Sequence, residues 1–110
     1  MNLAEMQEIR LRKAGLRRKI RAMKLLEPKT KELQNLIDLT ELEILENEGA
    51  YKKAVENLTQ KLEGAGVPES VKSIFYLRYC EGKEWAEIAK MLNYSQSSVY
   101  KLHSKWKNIF

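Results

Sequence analysis

The stretch Trp85-Ala86-Glu87-Ile88-Ala89-Lys90-Met91-Leu92-Asn93-Tyr94-Ser95-Gln96-Ser97-Ser98-Val99-Tyr100-Lys101-Leu102 decides how this chain folds. Ile88, Ala89, Leu92, Val99 and Leu102 fall where two short helices would turn apolar faces toward each other, with Tyr94 filling the corner between them. A small residue at Ala89 lets the helices cross closely. Asn93 occupies the position that wants a left-handed backbone, which Asn tolerates best after Gly. Ser95 is a natural N-cap for the second of these helices. The pattern predicts helices over about Trp85–Leu92 and Gln96–Asn108 with Asn93-Tyr94 as the turn, the arrangement a helix-turn-helix needs.

On the N-terminal side of this pair, Glu81-Gly82-Lys83 reads as a turn, preceded by a helix over roughly Glu69–Cys80 that opens after Pro68. Val71, Ile74, Phe75, Tyr76, Leu77 and Tyr79 cover most of that helix's circumference, so it is expected to be largely buried. Trp85 and Trp106 read as core anchors and Cys80 as a small core residue. Before it, Gly64-Ala65-Gly66-Val67-Pro68 is a break in the helical pattern, and Pro28 is another. The first segment carries Met6, Ile9, Leu16, Ile20 and Met23 in a 3,4 rhythm that Lys13 interrupts. The second places Leu33, Ile37, Thr40, Ile44, Tyr51, Val55, Leu58 and Leu62 on one stripe, with Gly49 expected to kink or split the helix near residues 47–50. Two amphipathic helices joined by a short link predict an antiparallel hairpin. The same stripes also suit a homodimer, and sequence leaves both open. The expected fold is all-α: a helical hairpin over 1–63, a linker at 64–68 and a three-helix helix-turn-helix domain over 69–110.

Charge sharpens this division. The 110 residues carry a net charge of +5. Residues 1–29 hold nine Lys/Arg against three acids, residues 30–63 four against eight, and residues 64–110 seven against four. The hairpin helices are therefore of opposite sign and able to pair along their seam. Arg10, Arg12, Arg17, Arg18, Lys19, Arg21 and Lys24 read first as a solvated face opposite the acidic helix, with a phosphate contribution as the sharper alternative.

A lone cysteine allows no intrachain disulfide and, with no apolar leader or spanning stretch, leads to the expectation of a soluble cytoplasmic protein. One His and one Cys argue against a metal site, and no phosphate loop or nucleophile–base pair points to an enzyme or a cofactor.

The run from Tyr76 through Leu77-Arg78-Tyr79-Cys80 and Glu81-Gly82-Lys83-Glu84 to Tyr100 resembles region 4 of sigma-70-type factors. More closely, the layout is similar to short phage and prophage proteins with a helical N-terminus and a sigma-region-4-like C-terminal domain, in the style of the ArpU and RinA regulators. The resemblance covers about 40 residues and implies double-stranded DNA as partner, with RNA polymerase as a second. It departs from the family at Glu84, where Ser or Thr usually opens the helix, and in lacking recognition-helix arginines.

At about 100° per residue, Val99, Leu102 and Trp106 face inward on the last helix, with His103 on the inward flank. A recognition helix reads bases mainly with its N-terminal half, which selects Gln96, Ser97, Tyr100 and Lys101. Gln suits adenine, Lys suits guanine, and the Tyr ring suits a thymine methyl. Lys83, Ser98, Lys105 and Lys107 are the expected phosphate contacts. The leading expectation is thus a sequence-specific transcription regulator. The alternatives are a module that binds RNA polymerase without reading DNA alone and a DNA-packaging protein of the terminase small subunit type.

Overall fold

The computed structural model of the chain describes residues 2–110, and among these the regular structure is entirely helical. Five α-helices follow in order: α1 (Leu3–Lys24), α2 (Lys31–Gly64), α3 (Glu69–Phe75), α4 (Trp85–Leu92) and α5 (Gln96–Trp106). α1 and α2 form the expected antiparallel hairpin, and α3 to α5 form the compact C-terminal unit.

Both long helices start at a side-chain cap. Asn2 Oδ1 accepts from the Glu5 N–H at 2.8 Å, and Thr30 Oγ1 accepts from the Leu33 N–H at 3.1 Å. Met6, Leu16 and Ile20 of α1 pack against Ile37, Thr40, Ala54, Leu58 and Leu62 of α2, all of them buried. The seven-residue step from Ile44 to Tyr51 is filled by Asn47, buried at 7% exposure, whose Nδ2 donates to the Ile9 carbonyl at 3.3 Å. Lys13, the interruption in the α1 rhythm, lays its ammonium over the Tyr51 ring, 4.3 Å from the centroid. Arg12–Glu43 at 3.5 Å, Arg17–Glu48 at 3.0 Å and Lys24–Glu41 at 3.2 Å flank the seam. Such exposed pairs contribute only about 0.2–1 kcal/mol each, so apolar burial holds the hairpin.

Gly49 does not split α2, contrary to that part of the sequence expectation; the helix runs unbroken through it. A mid-helix glycine costs roughly 1 kcal/mol relative to Ala. Contacts on either side offset that cost, because Asn47 holds Ile9 and the Tyr51 hydroxyl donates to the Cys80 carbonyl at 2.8 Å.

The glycine-rich stretch after α2 is an ordered cap. Gly66 takes the left-handed conformation at φ 64°, and the Val67 N–H reaches back to the Leu62 carbonyl at 3.3 Å. This is the helix-ending turn in which a left-handed residue satisfies the last carbonyls. It drives Val67 into the core beside Leu62. One apolar cluster therefore runs across residues 64–68, joining Met6, Ala54, Leu58 and Leu62 to Val71, Phe75, Tyr79 and Cys80. A second cluster, Ile74, Leu77, Ile88, Ala89 and Val99, lies inside the C-terminal unit. The molecule is elongated, 53 × 27 × 17 Å.

Candidate nucleic-acid interface

The expected helix over 69–80 is continuous but changes pitch. After Phe75 the turns widen, and the Glu81 N–H bonds the Tyr76 carbonyl, five residues back, at 3.2 Å. The wide turn closes through Gly82 at φ 70°, with the Lys83 N–H on the Leu77 carbonyl at 2.9 Å. The left-handed backbone there disfavours any side chain, and a Cβ on Gly82 would stand 2.6 Å from Cζ of Arg10 unless that side chain moved. The α1 guanidinium thus lies directly against the turn that leads into α4.

Glu84 occupies the N-cap position of α4 with no capping hydrogen bond from its side chain, as its chemistry suggests. Arg78 secures the same turn. Its Nη1 donates to the Lys83 carbonyl at 3.1 Å, lies 3.9 Å from Glu84, and its guanidinium stacks 4.5 Å from the Trp85 ring centroid. The far end of α4 stops at Asn93, left-handed at φ 58° and ψ 39°, and the Tyr94 N–H bonds the Ala89 carbonyl at 2.9 Å. Ser95 then caps α5, its Oγ accepting from the Ser98 N–H at 3.1 Å. Both residues stand where the sequence pattern puts them.

α5 buries Val99 completely and half-buries Leu102 and Trp106, so the inward face is the expected one. It ends at Trp106 and continues as a tighter turn over Lys107–Ile109, two residues short of the α-helix expected to Asn108. Gln96, Ser97, Tyr100 and Lys101 all stand exposed along its first turn and a half. Tyr100 is the most constrained of them, its ring tilted on Trp85 at 5.1 Å between centroids. Arg78, Trp85 and Tyr100 therefore form a stack that supports the outer face from behind. Ser98 is half-buried and receives the Ser95 hydroxyl at 2.8 Å, so it also serves the cap. Lys83 is half-buried in its turn, while Lys105 and Lys107 are exposed at the far end of the helix.

His103, on the inward flank as the sequence placed it, is packed among aromatic rings. It stacks on Phe75 at 5.0 Å, meets Trp85 edge-on at 4.8 Å, and its Nε2 lies 2.6 Å from the Tyr79 hydroxyl. Burial, then Lys107 and Arg78, hold its imidazole below the ordinary value of 6.5. Burial, with Glu81 nearby, pushes the Cys80 thiol up to about 11, away from thiolate chemistry. Among the described residues no group of three or more metal-ligating side chains occurs. No helix among them is long and apolar enough to cross a membrane.

Sequence reasoning missed the roles of Arg78, Arg10 and Asn47. Their side chains look like solvated polar residues on a linear reading, and only the distant partners they meet distinguish them.

A left-handed turn between two short helices, with the second presenting a polar outer face, defines a helix-turn-helix, a DNA-binding fold. Residues 65–105 match the family model described as Sigma-70, region 4, so this segment is a sigma-70 region 4-like helix-turn-helix. No curated protein and no solved structure matches the chain. Region 4 is a DNA-binding module.

Proposed function

We propose that the protein is a sequence-specific DNA-binding transcription regulator that inserts α5 into the major groove. The observation that carries this reading is the supported, exposed row Gln96, Ser97, Tyr100 and Lys101 on a capped second helix. In this reading Gln96 and Lys101 read base edges and Tyr100 meets a thymine methyl from its stack on Trp85. Lys83, Ser98, Lys105 and Lys107 hold phosphates and set register. A phage or prophage origin is part of the same reading and rests on the layout of hairpin plus region-4-like unit.

The hairpin is assigned to assembly or partner docking. Leu36, Leu39, Leu42 and Leu45 of α2 are each more than half exposed, as are Leu25 and Leu26 at its tip. So much apolar surface on a two-helix projection favours a covering partner, with a homodimer as the simplest form.

A second reading is favoured by one feature. A largely apolar groove of about 340 Å³, lined by Leu58, Leu62, Tyr76, Leu77 and Leu92 with Lys72 at its edge, lies between α2 and the C-terminal unit. A groove of that kind suits a protein helix, which is what a module binding RNA polymerase without reading DNA alone would need.

The deciding experiment is selection from a random duplex pool at near-physiological salt, followed by titration of the recovered site. A defined motif is expected. Lys101→Ala should weaken binding to that motif by about 1–3 kcal/mol and relax preference at one base pair. Equal loss on every duplex would remove Lys101 from the base-reading set, and retention of no duplex would turn the assignment to the polymerase-binding alternative.

A further inference from the structure

Eight cations lie on α1, and the structure accounts for five of them. Arg12, Arg17 and Lys24 pair with glutamates of α2, Lys13 caps the Tyr51 ring, and Arg10 packs on Gly82. Arg18, Lys19 and Arg21 are exposed and enter no ion pair among the described residues.

Two of these three continue a surface that begins at the helix-turn-helix. One shallow depression is lined by Arg10, Lys13, Ala14, Arg17 and Tyr51 together with Cys80 and Glu81. The next is lined by Ala14, Arg17, Arg18, Ile20 and Arg21. Sharing Ala14 and Arg17, the two form one strip that leaves the 81–83 turn and follows α1 outward, with Glu81 its single acid. Helical geometry agrees: Arg10, Arg17 and Arg21 fall within about 40° of one another and Arg18 within about 80°, whereas Lys19 lies about 180° from Arg10. From Arg10 to Arg21 the strip spans roughly 16 Å.

We propose that this strip is a second phosphate-tracking surface, in which Arg18 and Arg21 hold the backbone of DNA flanking the site that α5 occupies. The inference rests on the DNA-binding reading of the helix-turn-helix and extends its footprint by about five base pairs on one side. Five of the ten residues lining the strip are cations against the single acid Glu81, a charge balance that suits a polyanion. Its free groups are guanidinia, whose planar forks suit phosphate oxygens. Finally, the Arg10 guanidinium lies against Gly82, which sets the strip beside the turn carrying Lys83.

The test uses the full chain and the selected duplex with flanks of about ten base pairs on each side. The slope of log affinity against log salt is compared for the parent, the double variant Arg18→Ala/Arg21→Ala, and Lys19→Ala. Each lost phosphate contact lowers the slope by about 0.9, so the double variant should fall by about 2 with its base preference unchanged. Lys19→Ala, on the opposite face, should keep the parent slope, and trimming one flank should erase the difference between parent and double variant. Ala at exposed helical positions preserves helicity, which circular dichroism verifies. An unchanged slope in the double variant overturns the strip while leaving the DNA-binding reading intact. An equal fall for Lys19→Ala also overturns it, since net charge alone would then explain the effect. A parent that binds no duplex removes both. Loss of self-association in the double variant, with the slope unchanged, would assign the strip to a second copy of the chain and overturn the proposal.

Discussion

The two ends of the hairpin are built from the same apolar rhythm and are held in different ways. At the end near the termini, Met6, Ala54, Leu58 and Leu62 meet a third layer, the helix carrying Val71, Phe75 and Tyr79, and Phe75 there is fully buried. Aromatic contacts extend that layer from the Phe75 ring to His103, stacked at 5.0 Å, and to Phe110, tilted at 5.3 Å. At the other end Leu16, Ile20, Ile37 and Thr40 have only each other, exposed ion pairs flank them, and leucines point outward. A helix stripe specifies that something must pack on it. How firmly it is held depends on how many layers follow.

The largest effect should come from a charge placed in the second apolar cluster, inside the C-terminal unit beyond the deeper end. Val99→Asp buries a carboxylate where no partner exists and should cost about 4 kcal/mol or more, unfolding the corner between α4 and α5. Truncation at the thin end, Ile20→Ala, should cost about 2 kcal/mol, because neighbouring side chains and water reach a seam that is one layer deep. Thermal melts followed by circular dichroism compare it with the like truncation Leu58→Ala at the deeper end, which should cost about 3–4 kcal/mol, and equal losses would contradict the layered account.

Glycines in the turn before α4 and in the middle of α2 should respond with opposite sign. Gly82→Ala forces a left-handed alanine against the Arg10 guanidinium and should destabilise by about 1–2 kcal/mol. Gly49→Ala meets nothing within 4 Å on an exposed helix face and should stabilise by roughly 0.5–1 kcal/mol. Denaturant midpoints measured on both variants decide the matter; a neutral Gly82→Ala would mean that the turn does not need its left-handed residue.

The smallest expected effect is a pH dependence confined to the aromatic end. His103 is depressed below 6.5 in the folded chain, so the unfolded chain binds the proton more readily. The stability it contributes is present above pH 6.5 and is lost as pH falls below that value. Protonation would place a cation among Phe75, Trp85 and Tyr79, beside Arg78 and Lys107. Melting temperature should fall between pH 7 and 5, and His103→Gln should flatten that part of the profile; an unaltered profile in the variant would clear His103 of the role.

Whatever depends on neighbours a few residues apart was already legible in the sequence. Asn93 had to be the left-handed turn residue, Ser95 had to cap α5, and Val99 with Leu102 had to face inward, because each follows from local sterics and helical period. The hairpin and its opposite charges were legible for the same reason, as was the polar row from Gln96 to Lys101. Features that rest on partners dozens of residues away were settled only when the chain folded. Gly49 stays helical because Asn47 and Tyr51 are held from outside α2. Residues 64–68 cap a helix and bury Val67, and Arg10 finds Gly82 across more than seventy positions. Those contacts form because two apolar surfaces close over one another, and a linear pattern carries the demand for such a surface without naming its partner.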